Sequence, residues 1–174
     1  MVRDATAEDA EAIARVHAES WRATYTGLLP EEVIARFTYE ETLPRWRQRV
    51  PARSLQSVLV WGDPVAGFAY SGRERDGDPD HRGEVYALYL LPSEQGRGGG
   101  RVLLEAAAER LAAAGMTTLL IWVLRDNLRA RGFYEHLGGV YLREKLLDWP
   151  ATGEILEVAY GWADTGALRS AAPG

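Results

Sequence analysis

Apolar positions recur along the chain with two different periods, and the changes of period mark out the elements. Val2 opens a short strand, and Thr6 is placed as a helix N-cap with Asp9 in the first turn. Over residues 7–25, Ile13, Val16, Ala18 and Trp21 fall at helical spacing, and Gly27 and Pro30 break the pattern. A second, split helical region covers 31–48, carrying Val33, Ile34, Phe37, Leu43 and Trp46, with Pro51 expected to end it.

The period then changes to two. Residues 57–61 and 65–70 read as a hairpin around Gly62-Asp63-Pro64. Residues 71–82 are charged and read as a solvated loop. Residues 84–91 form the strongest strand, stopped by Pro92. A glycine-rich loop, 96–100, leads to an amphipathic helix over 101–114. Leu103, Leu104, Ala107, Leu111 and Ala114 lie on one face, Glu105, Glu109 and Arg110 on the other, and Gly115 is the C-cap. Residues 117–124 read as a buried strand. Asp126 or Asn127 caps a short helix to about Leu137, which Gly138-Gly139 ends. Residues 140–149 and 155–162 form the last two strands. The expectation is one α/β domain of mixed α+β type over 1–162, with a disordered tail over 163–174.

Composition narrows the function. A chain of 174 residues makes one domain and can bury about 70% of its unfolded surface, enough for a full core. Hydrophobic content of 47% and charged content of 26% exclude disorder, collagen-like repeats and a simple coiled coil. A net charge of −5 argues against nucleic acid as a partner, because phosphate neutralisation needs a cationic surface. The absence of cysteine excludes disulfides, thiolate metal sites and a cysteine nucleophile, and suits a reducing cytoplasm, the expected location. The densest apolar stretch, 119–124, is strand-sized, so no membrane span is expected, and the N-terminus has no h-region of a secretory signal. His17, His81 and His136 are scattered without metal-ligand spacing, so no metal is expected; His81, beside Glu84, is a weaker candidate for a proton relay.

The chemistry concentrates between the strand at 84–91 and the helix at 101–114. Glycines at 96, 98, 99 and 100 let the backbone turn tightly, and the unpaired N–H groups of the helix start favour an anion, so this is a candidate phosphate cradle, against a bland reading as a flexible strand–helix connection. Arg97 and Arg101 add positive charge. The dinucleotide pattern GxGxxG fails at Arg101, and no Gly-Lys-Ser/Thr of a P-loop is present. The pattern that fits is Gln95-x-x-Gly98-x-Gly100. A second segment, Trp122-Val123-Leu124 followed by Asn127, Ala130, Arg131, Phe133-Tyr134-Glu135 and Leu137-Gly138, lies downstream. Leu88-Tyr89-Leu90 with Pro92 leads into the loop. On these motifs the chain resembles the GNAT superfamily of N-acetyltransferases over roughly residues 2–162. One departure is Gly139, where members often have Phe.

The resemblance implies the GNAT fold, a mostly antiparallel central sheet flanked by helices with a splayed strand pair that admits acetyl-CoA. It implies direct transfer of an acetyl group to a primary amine in a ternary complex. The alternatives are a catalytically silent acyl-CoA-binding module and a protein N-acetyltransferase. Main-chain N–H groups of Gly96, Arg97, Gly98, Gly99, Gly100 and Arg101, with Gln95 of the motif, would hold the pyrophosphate. Main-chain groups of Leu88, Tyr89 and Leu90 would pair with pantetheine, and the Leu90 N–H would stabilise the oxyanion.

Tyr134 is the expected general acid, against a bland reading as core. Glu84 is the expected general base, direct or through water, against a strand-edge carboxylate. Asn127 would contact the cofactor chain, cap its helix, or do both. Arg131 would lie near the phosphates or on a solvated face. Trp21, Tyr25 and Phe37 are candidate acceptor walls, Tyr86 would line the acceptor site or pack, and Glu41 would attract a cation. The acceptor is a small-molecule or terminal amine, and a homodimer could pair through the edges of the last two strands.

Overall fold

The structure, a computed structural model, describes residues 1–50 and 56–170. Strands β1 (Val2–Asp4), β2 (Ser57–Trp61), β3 (Gly67–Arg73), β4 (Gly83–Leu90), β5 (Leu119–Leu124), β6 (Val140–Leu146) and β7 (Leu156–Trp162) form one sheet in the order β1-β2-β3-β4-β5-β7-β6. Every neighbouring pair is antiparallel except β4 and β5. A parallel pair needs a crossover, and α4 (Gly99–Ala113) supplies it.

The sheet is covered on both faces, so its inner strands carry near-continuous apolar runs. On one face Ile13, Ala14 and Val16 of α1 (Ala10–Tyr25) and Trp46 of α3 (Tyr39–Arg49) pack on Val58, Val60, Phe68 and Tyr70. On the other, Leu103, Leu104, Ala107 and Leu111 of α4 pack on Leu59, Ala69, Val85, Leu119, Ile121 and Val158. The strand period of two explains why Leu59 faces one layer and its neighbours Val58 and Val60 the other. The short α2 (Glu31–Ile34) follows α1, and α5 (Leu128–His136) links β5 to β6. Among the described residues no helix is long and apolar enough to cross a membrane.

Several boundaries differ from those expected. The first helix opens as a 3-10 turn over Ala7–Asp9, held by a reciprocal capping box between Thr6 and Asp9. The buried stripe of α1 is Ala10, Ile13, Ala14, His17 and Trp21 with Val16, whereas Ala18 is only half-buried. The helix expected from 101 already includes Gly99 and Gly100. The last two strands are shorter than expected, leaving Trp149 in their connection. The charged stretch 71–82 is not simply solvated, because Asp78 is 3% exposed at its side chain and pairs with Arg143 of β6. Bonds from His81 and Arg143 hold Asp78 well below the usual carboxylate range although burial pushes it up. The expected tail is docked in part. Thr165 N–H donates to Thr117 O at 2.8 Å, and Leu168 of α6 (Ala167–Ser170) is buried among the residues around α4. Pro51 and residues 171–174 lie outside the described residues.

Candidate active site

Strands β4 and β5 pair at three positions only, Gly83↔Leu119, Glu84↔Leu120 and Val85↔Ile121, although β4 runs on to Leu90 and β5 to Leu124. The sheet therefore opens into a gap. The parting begins where β4 carries a bulge. Tyr70 pairs with Ala87 and Ser71 with Val85, so Tyr86 is the extra residue. A bulge bends its strand and increases the local twist. It also breaks the alternation of faces, since Tyr86 and Ala87 both pack on the α1 layer while Val85 and Leu88 pack toward α4.

Beyond the bulge, main-chain direction follows from the ladder. Leu91 N–H donates to Ala66 O at 2.9 Å. Residues 91 and 89 thus bond toward β3, and Leu88 and Leu90 turn their N–H and C=O groups to the gap. Of the three residues expected to offer main chain there, Tyr89 does not; it contributes its ring. The Leu90 carbonyl already accepts from Ser20 Oγ at 2.8 Å and from Gln95 Nε2 at 3.2 Å. These bonds pin the strand end to α1, while the Leu90 N–H, like that of Leu88, faces the gap.

The glycine loop is shaped by backbone needs. Gly96 and Gly98 have φ of +78° and +81°, which glycine adopts without steric cost. A Cβ on Gly99 would stand 2.7 Å from Leu90 Cδ2 and 2.9 Å from the Trp61 ring. Gly98 is the N-cap of α4 with no capping side chain, and the first bond back to it is Val102 N–H to Gly98 O. The N–H groups of the first turn are open to an anion, which fits a phosphate. Arg97 and Arg101 rest on Glu94 and Glu105, so the cradle itself is main chain.

Tyr134 of α5 is 6% exposed, and burial, then the nearby Tyr25, push its phenol well above the usual tyrosine value. It stays protonated at neutral pH, as a proton donor must. Tyr25 and Tyr89 share a hydroxyl contact of 3.1 Å. Around them Trp21 stacks on Phe37 at 3.8 Å and on Trp149 at 5.8 Å, with Tyr25 at 4.4 Å. The Trp21 indole N–H is buried without a partner.

Residues 13–139 match the Acetyltransferase (GNAT) family. The chain belongs to the GNAT family of acetyltransferases. It is 35% identical over 172 residues to an uncharacterized N-acetyltransferase, YuaI, of Bacillus subtilis (strain 168), covering 97% of this chain and 96% of that protein. A mycothiol acetyltransferase of Rhodococcus erythropolis is 40% identical over 77 residues, 44% of this chain but 26% of that protein. The crystal structure of the PaiA N-acetyltransferase of Thermoplasma acidophilum in complex with coenzyme A superposes with a TM-score of 0.68 at 24% identity, covering 93% of this chain and 98% of that one. YncA of Salmonella typhimurium with acetyl-CoA gives a TM-score of 0.70 at 19% identity, covering 93% and 92%. These likenesses establish the GNAT fold.

Within the GNAT frame some expected site residues have other work. Glu84 is 1% exposed, and its carboxylate accepts three bonds from Arg75: from the main-chain N, from Nε, and from Nη2 at 2.5 Å. It has no open face for an acceptor. Tyr86 packs rather than lines. Its hydroxyl donates to Arg73 O at 2.5 Å, its ring lies under the Arg75 guanidinium at 4.3 Å, and its phenol is pushed up to about 12 by burial and then by Glu84. Arg131 donates to Tyr160 Oη at 3.0 Å and to Arg125 O at 2.9 Å, which ties it to β7 and to the β5–α5 connection. Asn127 caps α5 through Oδ1 to the Ala130 N–H at 3.2 Å. Glu41 is exposed in the first turn of α3. His17 accepts from Trp46 Nε1 at 3.2 Å and is structural, and His81 serves Asp78.

Three further residues border the gap without having been singled out by the sequence: Ser20, which bonds the end of β4, Trp149 of the aromatic stack, and Glu157 of β7, opposite Leu124. Ser20 had a readable signal, as it stands four residues after Val16 and three after His17 on the buried side of α1.

Proposed function

We propose that the chain transfers an acetyl group from acetyl-CoA to a primary amine by direct attack within a ternary complex. The observation that carries this is the parting of β4 from β5 after Val85↔Ile121, beside a glycine-built helix start and a buried, protonated tyrosine. The first turn of α4 would hold the pyrophosphate through main-chain N–H groups. Leu88 and the Leu90 N–H would pair with the pantetheine arm and the thioester as an added strand edge does. As the amine nitrogen bonds to the acyl carbon and the carbon–sulfur bond breaks, the Leu90 N–H faces the oxygen that gains charge. Tyr134 gives its proton to the departing sulfur, and the proton from the amine leaves to a base. No side-chain nucleophile is required, in keeping with a chain that has no cysteine.

The test is thiol release from acetyl-CoA with a panel of primary amines, alongside calorimetric titration of acetyl-CoA. Amine-dependent release supports transfer. Tight binding with no release by any amine would favour the silent module, and no binding would sink the reading.

A further inference from the structure

A primary amine arrives at neutral pH largely as its ammonium, and Glu84, enclosed by Arg75, has no open face to receive it. The alternation along β7 identifies another carboxylate. Val158, Tyr160 and Trp162 pack toward α4, so Glu157 stands on the opposite, α1 face. Across the sheet Glu157 pairs with Leu124 of β5, three residues beyond the last β4–β5 pair. Leu124 itself packs with Trp21, Leu147 and the partly buried Tyr25 and Tyr89. Glu157 therefore borders the aromatic cluster at the open end of the gap.

Its charge environment sets it apart from its neighbours. Asp76, Asp78 and Glu84 each have a cation at close range in Lys145, Arg143 and Arg75. Glu157 shares Lys145, at the longer distance of 3.4 Å, and that ammonium already serves Asp76 and lies 4.1 Å over the Trp122 ring. Glu157 is the carboxylate left over. Its side chain is 16% exposed, reachable by a small ligand yet largely dehydrated. The groups facing it are Lys145 from β6, Asp76 from the β3–β4 loop, Glu84 from β4 and Tyr25 from α1. Burial pushes its carboxyl above the usual value, with Asp76 and Glu84 adding to the rise against Lys145. A buried, underpaired carboxylate gains most from an incoming cation. The adjoining wall is the flat stack of Trp21, Phe37 and Trp149.

We infer that Glu157 receives the acceptor ammonium and that the acceptor is a primary amine carried on an apolar body of aromatic size. This rests on the transfer reading above. The experiment is calorimetric titration of the full chain with 2-phenylethylamine, for the native protein, Glu157→Gln, Glu157→Asp and Glu84→Gln, with acetyl-CoA binding as the check of folding. Losing a charge-assisted bond should weaken 2-phenylethylamine about tenfold to a hundredfold in Glu157→Gln. Glu157→Asp should recover part of that loss, and acetyl-CoA affinity should be unchanged in both. Glu84→Gln should leave amine affinity within about twofold. In thiol-release assays the KM for the amine should rise in Glu157→Gln by the same factor, and spermidine and an alanyl peptide should be poorer acceptors than 2-phenylethylamine. Native-like amine binding by a folded Glu157→Gln would overturn the inference, as would a native preference for spermidine or the peptide. Failure of the native chain to bind acetyl-CoA would instead overturn the transfer reading, since amine binding is read without turnover.

Discussion

The two sides of the gap between β4 and β5 are made of different material. On the α4 side the chain offers main chain: the first-turn N–H groups after Gly98 and the unpaired edge at Leu88 and Leu90. On the α1 side it offers side chains from separate segments, with Trp21 and Tyr25 from α1, Phe37 before α3, Trp149 from the β6–β7 connection and Glu157 from β7. A main-chain cradle depends on φ angles and close approach, and it suits a ligand that is always the same. A side-chain wall can change residue by residue, and it suits a ligand that differs between relatives. The division predicts that variants on the first side act through acetyl-CoA and those on the second through the amine.

Tyr134 tests the division hardest, because it is a side chain of α5 proposed to act on the sulfur. Its hydroxyl makes no hydrogen bond to the described residues, so Tyr134→Phe should fold normally and bind acetyl-CoA as the native chain does. Without the proton donor, kcat should fall by about 100-fold to 10,000-fold. A fall under threefold would remove Tyr134 from the chemistry. Because burial and Tyr25 raise its phenol, no loss of kcat from its ionisation should appear below about pH 10.

His17 probes the α1 layer by stability. Burial, then Arg49 and Arg45, pull its imidazole down to about 3, and Trp21, Phe37, Trp46, Phe68 and Tyr89 surround it. The unfolded chain takes up a proton below about pH 6.5 that the folded chain refuses until about pH 3. Stability from this group is therefore full above pH 6.5 and lost as pH falls, by about 2 kcal/mol at pH 5. His17→Gln keeps an acceptor for Trp46 and should flatten that part of the profile in urea unfolding. An unchanged slope would mean that His17 is not held neutral.

Gly98→Ala acts on the other side. A Cβ there meets nothing within 4 Å, so the cost is conformational alone, about 1–2 kcal/mol for a left-handed alanine. Either stability or acetyl-CoA affinity should fall by that amount, while the KM for the amine stays put. A shift in amine KM instead would blur the two sides.

The same division explains what was legible in the sequence. Gln95-x-x-Gly98-x-Gly100 is contiguous, because one strand–turn–helix builds the whole cradle, and the family resemblance was visible from it. The acceptor side had no such signature. Phe37 and Trp149 meet in a stack although 112 positions separate them, which no local period encodes. Glu84 looked like a free carboxylate because its partner, Arg75, sits in a stretch whose charges read as solvated; the pairing of that loop with Arg143 and Lys145 of β6 is long-range. The bulge at Tyr86 was equally hidden, since a strand sequence carries no mark of an extra residue unless the partner's register is known. Leu168 read as tail because a four-residue helix is too short to show a period.

The smallest expected effect joins the two sides. Ser20 lies at the end of the buried stripe of α1, and its hydroxyl donates to the carbonyl of Leu90, whose N–H is assigned to the thioester oxygen. Ser20→Ala deletes one of two donors to that carbonyl while Gln95 remains, so the oxygen is not orphaned and the loss should be about 1 kcal/mol. If the bond only stabilises the fold, the whole loss will appear in urea unfolding and the kinetic constants will not move. If it also steadies the strand end that carries the Leu90 N–H, kcat will fall severalfold with the amine KM unchanged. The first result is expected: the Leu90 carbonyl shares its peptide plane with the Leu91 N–H, which Ala66 O already holds, whereas the Leu90 N–H belongs to the preceding peptide, whose Tyr89 carbonyl bonds toward β3.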